Sequence, residues 1–179
     1  VVPSQDRLLA VQMMQTQGPM ARRVRDVRLG LEILIGAHPR DPMSFDMPLV
    51  GRKLGRPVRV AVVAAPPGGS CDPGISSVVR QAADALSNAG YDVVEVCPPR
   101  YEEAVAVWGQ FLMGDFGAIL PQLMPFMGAD ATALLNAFSA VTPPFANAAA
   151  MSHLLVARDG IAREWSQFLA VHPLILSPT

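Results

Sequence analysis

The stretch VRVAVVAAPPGGSCDPGISSVVRQAADALSNAGYDVVEV, residues 58–96, decides the fold. Val58–Ala65 is a β-branched apolar run after Pro57, the mark of a buried strand. Pro66-Pro67-Gly68-Gly69-Ser70-Cys71 forms a turn. Asp72-Pro73 then opens a helix: the carboxylate caps free amides, and proline, lacking an amide, suits the first helical position. Ile75, Val78, Val79, Ala82 and Leu86 are the expected buried face, and Asn88-Ala89-Gly90 closes the helix. Tyr91–Val96 is the next strand. Strand, helix and strand over these residues make a βαβ unit, which predicts parallel strands joined by a right-handed crossover.

On the N-terminal side, residues 1–19 show no sustained period and read as an extended or loop segment. From Met20 a helical spacing begins, with Met20, Val24, Val27, Leu31, Leu34 and Ile35 on one face. Arginines and acids fill the other face, and Gly36 ends the helix. Residues 39–57, rich in Pro and Gly, are a surface connection. On the C-terminal side, helices are expected at Tyr101–Leu120 and at Asp130–Ala140, the latter capped by Asp130 and burying Leu134, Leu135 and Phe138. A long helix follows from about Phe145 to Val171, with Gly160 as a bend, and Pro173 introduces a last strand, Leu174–Leu176. The fold class is therefore α/β: a partial, largely parallel or mixed sheet of about three strands, with a large helical insertion between the second and third. The organisation is a lead segment, helix and connector at 1–57, the βαβ unit at 58–99, the helical insertion at 100–171 and the final strand at 172–179.

Composition narrows the function classes. The 179 residues suffice for one core, yet 51% are hydrophobic and only 16% charged, against about 25% charged in ordinary soluble domains. No run reaches the ~18 unbroken apolar residues of a spanning helix, because Gln110 and Asp115 interrupt Val105–Leu120 and Asn147, Ser152 and His153 interrupt Phe145–Ala157. No membrane partner is expected. A net charge of −1 argues against nucleic acid. The chain opens on Val1-Val2-Pro3 and stops just after Leu174–Leu176, so it reads as an interior piece of a larger protein, with the remaining N-terminal part as a partner. Such a piece should expose apolar faces, and self-association as a homo-oligomer or dye binding is expected. Two cysteines, Cys71 and Cys97, make no disulfide framework, which favours a reducing cytoplasm.

The residues offer little self-contained chemistry. Gly68-Gly69-Ser70 follows a strand and precedes a helix, but it lacks the phosphate-loop order; it is a strand-to-helix turn or an anion cradle. Cys71 and Cys97 follow the carboxyl ends of the two strands, without a C-x-x-C spacing. The three histidines, His38, His153 and His172, are scattered; His172 suits a helix end, and His153 a packing role. Asp115, set in an apolar run, can line a cleft with a raised pKa, face solvent or pair with an arginine. Glu102 and Glu103 suit the first turn of their helix. Trp108, Phe111 and Asp115 are the candidate substrate-pocket wall, against the plainer reading of the aromatics as core. No catalytic, cofactor or metal set is expected within these residues.

One stretch is more specific. Gln17 through Pro42, with GPMARRVRD at Gly18–Asp26 and HPRDP at 38–42, resembles the amidase signature family, in which "Q-G-P-M-A-R-x-V-x-D" leads a helix and "G-x-x-P-x-D-P" forms the turn after it. Val2-Pro3-Ser4 resembles the end of that family's "G-R-V-P" loop, and Ala89–Pro99 fits its next segment. Leu174–Thr179 is similar to its "D-x-L-L-x-P-T" strand, with His172-Pro173 where the acid usually lies. The stretch Tyr101–Gln167 is poorly matched. The resemblance implies an α/β/α sandwich and hydrolysis of a small-molecule carboxamide through a serine acyl-enzyme, with a second serine relaying its proton to a neutral lysine. In the family that machinery lies upstream of the point corresponding to Val1, so this chain alone is expected to be inactive. The only lysine, Lys53, falls in the connector, where it cannot play that part. Two alternatives stay open: the A subunit of a tRNA-dependent amidotransferase, and a non-catalytic α/β module that binds a small ligand.

Overall fold

Val58–Ala65 becomes the centre of a sheet. The computed structural model describes residues 7–14 and 16–178, and in it β1 (Arg59–Val62) lies between β2 (Asp92–Glu95) and β3 (Leu174–Leu176), in the order β2-β1-β3. Both neighbours run parallel to β1, with Val60 opposite Val93 on one side and Leu174 on the other. The ladder extends past the strand ends, since Val96 N–H donates to the Val62 carbonyl and Val63 N–H to that of Leu176. A central parallel strand has both faces covered, and Val60–Ala64 are accordingly all buried. Cross-strand charge closes the amino-terminal edge, with Arg59 Nε 2.9 Å from Asp92 Oδ2.

The crossover helix α3 (Pro73–Asn88) begins as its sequence dictates. The Asp72 carboxylate accepts hydrogen bonds from the amides of Gly74 at 2.7 Å and Ile75 at 3.3 Å. Asp72→Ala should cost about 1 kcal/mol, read as a lower urea midpoint at unchanged slope; no change would remove the cap from the account. The buried face departs from the one expected. Val79 and Leu86 of the expected set, with Ala83, meet Val60, Val62 and Val93, and Ser76 is buried too, whereas Ile75 and Val78 point outward, 48% and 63% exposed. A helix between two strands needs only a narrow stripe, and small Ser76 and Ala83 let it approach the sheet closely.

Between β2 and β3 the helical insertion comprises α4 (Tyr101–Leu123), a 3-10 turn at Met124–Phe126, α5 (Ala129–Val141) and α6 (Ala148–Val171). Helix α4 runs three residues beyond the expected end because Pro121 is accommodated inside it. With its 3-10 extension, Tyr101–Phe126 is long and apolar enough to cross a membrane by length and composition. Here Val107, Gly109, Phe111 and Met113 are buried and the helix packs against α6. Helix α5 starts at Gly128 rather than at a capping Asp130, and Leu134 is 70% exposed rather than buried. Helix α6 is capped by Asn147, whose side chain accepts from Ala150 N–H at 2.9 Å. Gly160 does not break α6; a Cβ there would come within 2.8 Å of Arg100 Nη1, so the glycine admits the guanidinium.

The chain divides into two compact units at Lys53–Leu54, inside the expected connector. All elements above belong to the second. The first contains α1 (Leu9–Met14), where irregular chain was expected; six residues are too few to show a helical period. It also contains α2 (Val24–Leu34), which starts after Arg23, four residues later than the Met20 expected. The apolar face of α2 is only partly buried: Val24 is 86% exposed, Leu34 and Ile35 are exposed, and Val27 and Leu31 are half-buried. Gly36, at φ +121°, ends the segment, and Asp46 Oδ1 accepts from Ala37 N–H at 2.8 Å. Arg7 reaches Asp41 at 3.1 Å, tying the HPRDP turn to the start of α1. The resemblance carried by Val2-Pro3-Ser4 lies outside the described residues.

Candidate active-site cleft

A cleft of about 260 Å³ is lined by Pro67 and Gly68, which follow β1, by the first turns of α4, which follow β2, and by Phe138 and Val141–Pro143 at the end of α5. Segments that follow the carboxyl ends of parallel strands are where open α/β sheets bind ligands. Gly68 makes the loop possible: at φ +81° it adopts a backbone that L side chains rarely accept, and a Cβ there would stand 3.1 Å from Glu102 Cγ. The Glu102 side chain thus lies beside Gly68, a like charge for any anion approaching that end of the turn.

The first turn of α4 is fixed by its neighbours. Arg100 sits at φ 53° and donates to both Glu103 carboxylate oxygens at 2.6 Å and to Glu164 Oε1 at 3.2 Å. Those bonds hold the Glu103 carboxyl below its ordinary range and keep the guanidinium charged. Trp165 Nε1–H donates to the Pro99 carbonyl at 2.8 Å, and its ring stacks on Tyr101 with centroids 6.2 Å apart. Glu103 is therefore committed to Arg100, and through it to α6. Glu102, the next acid, forms no hydrogen bond or ion pair among the described residues and faces the cleft. Burial, and secondarily the Glu102 charge, push the Cys97 thiol up from its ordinary value. The sign gives the pH dependence: the protonated thiol is favoured in the fold, so this contribution is whole below the unfolded thiol's pKa and is lost as pH rises through the folded one. Glu102→Gln should speed Cys97 alkylation at pH 8 by about two- to threefold, burial keeping it below the denatured rate; an unchanged rate would remove Glu102 as a cause.

Of the three sequence candidates, the structure places Trp108 in the cleft, the residue 45% exposed and its ring tilted against Phe138 at a 6.0 Å centroid distance. Phe111 is 1% exposed and packs edge-on against Phe145 instead. Asp115 is half-buried further along α4 and does not line this cleft. Sequence reasoning missed Phe138, Thr142 and Pro143, and gave Glu102 only a helix-start role. The glycine pair at 68–69 was the available signal for the latter. Cys71 Sγ accepts from Ser76 Oγ at 3.3 Å, and no group of three or more His, Cys, Asp and Glu able to hold a metal stands together among the described residues. His172 caps the end of α6 as expected, stacked on Phe168 at 4.7 Å, with its Nδ1 buried and unpartnered. His153, read as a packing residue, is exposed on α6, and Lys53 is exposed in the connector.

Comparison with known proteins now gives this architecture a family. The chain is 31% identical over 176 residues to an indoleacetamide hydrolase of Bradyrhizobium diazoefficiens, covering 97% of this chain and 33% of that protein. It is 30% identical over 176 residues to an indoleacetamide hydrolase of Bradyrhizobium japonicum, covering 97% of this chain and 37% of that protein. The glutamyl-tRNA(Gln) amidotransferase A subunit of Deinococcus radiodurans is 36% identical over 95 residues, covering 51% of this chain and 20% of that protein. The chain thus spans about a third of the length of the two hydrolases. The family model described as Amidase matches residues 2–154, so the likeness read from Gln17–Pro42 holds across most of the sequence, and the chain belongs to the amidase signature family.

Proposed function

We propose that this chain is part of a hydrolase that cleaves the C–N bond of a small carboxamide, releasing ammonia and a carboxylate. The carrying observation is that likeness to the indoleacetamide hydrolases runs over 97% of the chain, through the helical insertion and the cleft, whereas likeness to the amidotransferase protein covers 51%. On this reading the substrate is an arylacetamide such as indole-3-acetamide. The described residues contribute β1–β3 and the cleft beside their carboxyl ends. The serines and lysine that the family resemblance implies for the acyl-enzyme come from another segment of the protein, since Lys53 is the only lysine and is exposed.

The test is ammonia release from indole-3-acetamide by the full-length protein, with the acyl-enzyme trapped by mass spectrometry. Turnover with a trapped acyl-serine supports the reading; glutamine-dependent amide transfer that needs a partner protein would move it to the amidotransferase branch, which the 36% identity favours over that half of the chain. The 179-residue chain alone should release no ammonia. Turnover by that chain, abolished by Lys53→Ala, would put the lysine back into the chemistry.

A further inference from the structure

We infer that the cleft beside Trp108 holds the flat apolar ring of the substrate, and that Glu102 selects rings carrying a hydrogen-bond donor. This rests on the amide-hydrolase reading and concerns the part of the substrate that does not react. Three observations carry it. The walls are apolar and aromatic: Val105, Trp108 and Phe138 face a space of about 260 Å³, and Trp108 is still 45% exposed. An aromatic ring stacked there gains offset or edge contacts beyond simple burial. The second observation is charge. Among the described residues no lysine or arginine lines the cleft, and Glu102 is its one ionisable residue.

The third is that Glu102 has no hydrogen bond or ion pair among the described residues. Its neighbour Glu103 is locked to Arg100 through two 2.6 Å bonds, which also fix the backbone from which Glu102 projects. A carboxylate that makes no such bond among the described residues accepts a ligand N–H without first giving one of them up, and charge-assisted bonds of this kind are the strong ones. A ring bearing a carboxylate would instead meet like charge. Gln110 lines the same cleft eight residues on, about 12 Å along the helix at 1.5 Å per residue, a span that suits a bicyclic ring. The arrangement therefore selects by donor as well as by size, and rejection of an analogue lacking the donor is stronger than rejection by size alone.

The test uses the full-length protein with indole-3-acetamide, its 1-methyl analogue, whose ring N–H is gone, and propionamide. Wild type should favour indole-3-acetamide over the 1-methyl analogue by about tenfold in kcat/KM. Glu102→Ala should reduce that ratio to about twofold or less, with Glu102→Gln intermediate, and Trp108→Ala should lower the ratio of indole-3-acetamide to propionamide by about tenfold. Ratios that stay within twofold of wild type in all three variants would overturn the inference while leaving amide hydrolysis intact. Should wild type hydrolyse none of the three amides, the hydrolase reading falls, and calorimetric binding of indole-3-acetamide decides the cleft. A tenfold weaker Kd in Trp108→Ala and Glu102→Ala supports the ring site, and an unchanged Kd refutes it.

Discussion

Phe111→Ala should destabilise the protein by about 3–5 kcal/mol, the usual range for deleting a buried aromatic ring. Phe111 is 1% exposed and, with Val60, is one of the two largest completely buried side chains among the described residues. Its ring meets Phe145 edge-on, at a centroid distance of 6.4 Å and an interplanar angle of 65°; such a pair adds about 0.5–1.5 kcal/mol beyond area burial. Collapse around the vacancy would have to come from α4, whose backbone is held at its start by Arg100 and Trp165. The loss should appear as a lower urea midpoint at constant slope. Val156→Ala, at a residue 69% exposed on α6, should stay within about 0.5 kcal/mol. If the two variants unfold at the same midpoint, Phe111 is not the anchor of the helical insertion.

The sheet was legible because its signals are local. A β-branched run after Pro57, an Asp-Pro helix start and the run at Tyr91–Val96 each state their own conformation, and β1, α3 and β2 formed where those signals lie. The parallel direction followed from the length of the crossover. That β3 would join the free edge of β1 rather than of β2 depends on contacts between residues more than a hundred positions apart, and no local period encodes that. Helix faces were read less well. In α3 the spacing of large apolar residues marked Ile75 and Val78, but the sheet took the stripe carrying Ser76 and Ala83, where small side chains allow close approach. In α2 the expected face is only half-buried at Val27 and Leu31 and exposed at Val24 and Leu34, because amphipathic spacing states what a helix can bury and not what lies against it.

The cleft was half legible. Trp108 was identified as a wall and lines it, whereas Phe111, three residues on, points into packing. At 100° per residue those two positions diverge by about 60° around the helix, enough to separate a cleft from a core. Asp115 drew attention as an acid among apolar residues; the acid that faces the cleft is Glu102, which looked ordinary because helix starts favour acids. What distinguishes it is the capture of Glu103 by Arg100 and the left-handed Gly68 beneath it, both tertiary facts. Phe138 and Pro143 carry no local signal of a wall, and only the return of α5 toward α4 brings them to the cleft.

Gly114 and Gly117 sit one turn apart on α4, and alanine should act on them with opposite sign. Helix propensity alone makes Gly→Ala stabilising by about 1 kcal/mol in a helix interior. At Gly117 a Cβ would meet nothing within 4 Å, so Gly117→Ala should stabilise by about 0.5–1 kcal/mol. At Gly114 a Cβ would stand 2.7 Å from Phe145 Cζ and 2.8 Å from its Cδ1. The ring cannot swing aside without leaving Phe111, and forcing atoms into a packed site costs about 1–3 kcal/mol. The clash therefore outweighs the propensity gain: Gly114→Ala should destabilise by about 1–2 kcal/mol and Gly114→Val, with two further methyls against the same ring, by about 3–4 kcal/mol. Gly109 makes the same kind of room, since a Cβ there would come 2.6 Å from Thr142 Cγ2. The turn between α5 and α6 is thus seated on α4 through two glycines, and its Thr142 and Pro143 are cleft wall. Displacing Phe145 displaces that wall, so Gly114→Ala should also reduce discrimination between aromatic and aliphatic amides in the full-length protein. Equal shifts of the same sign at 114 and 117 in urea unfolding would show that propensity, and not the seat of Phe145, governs this helix.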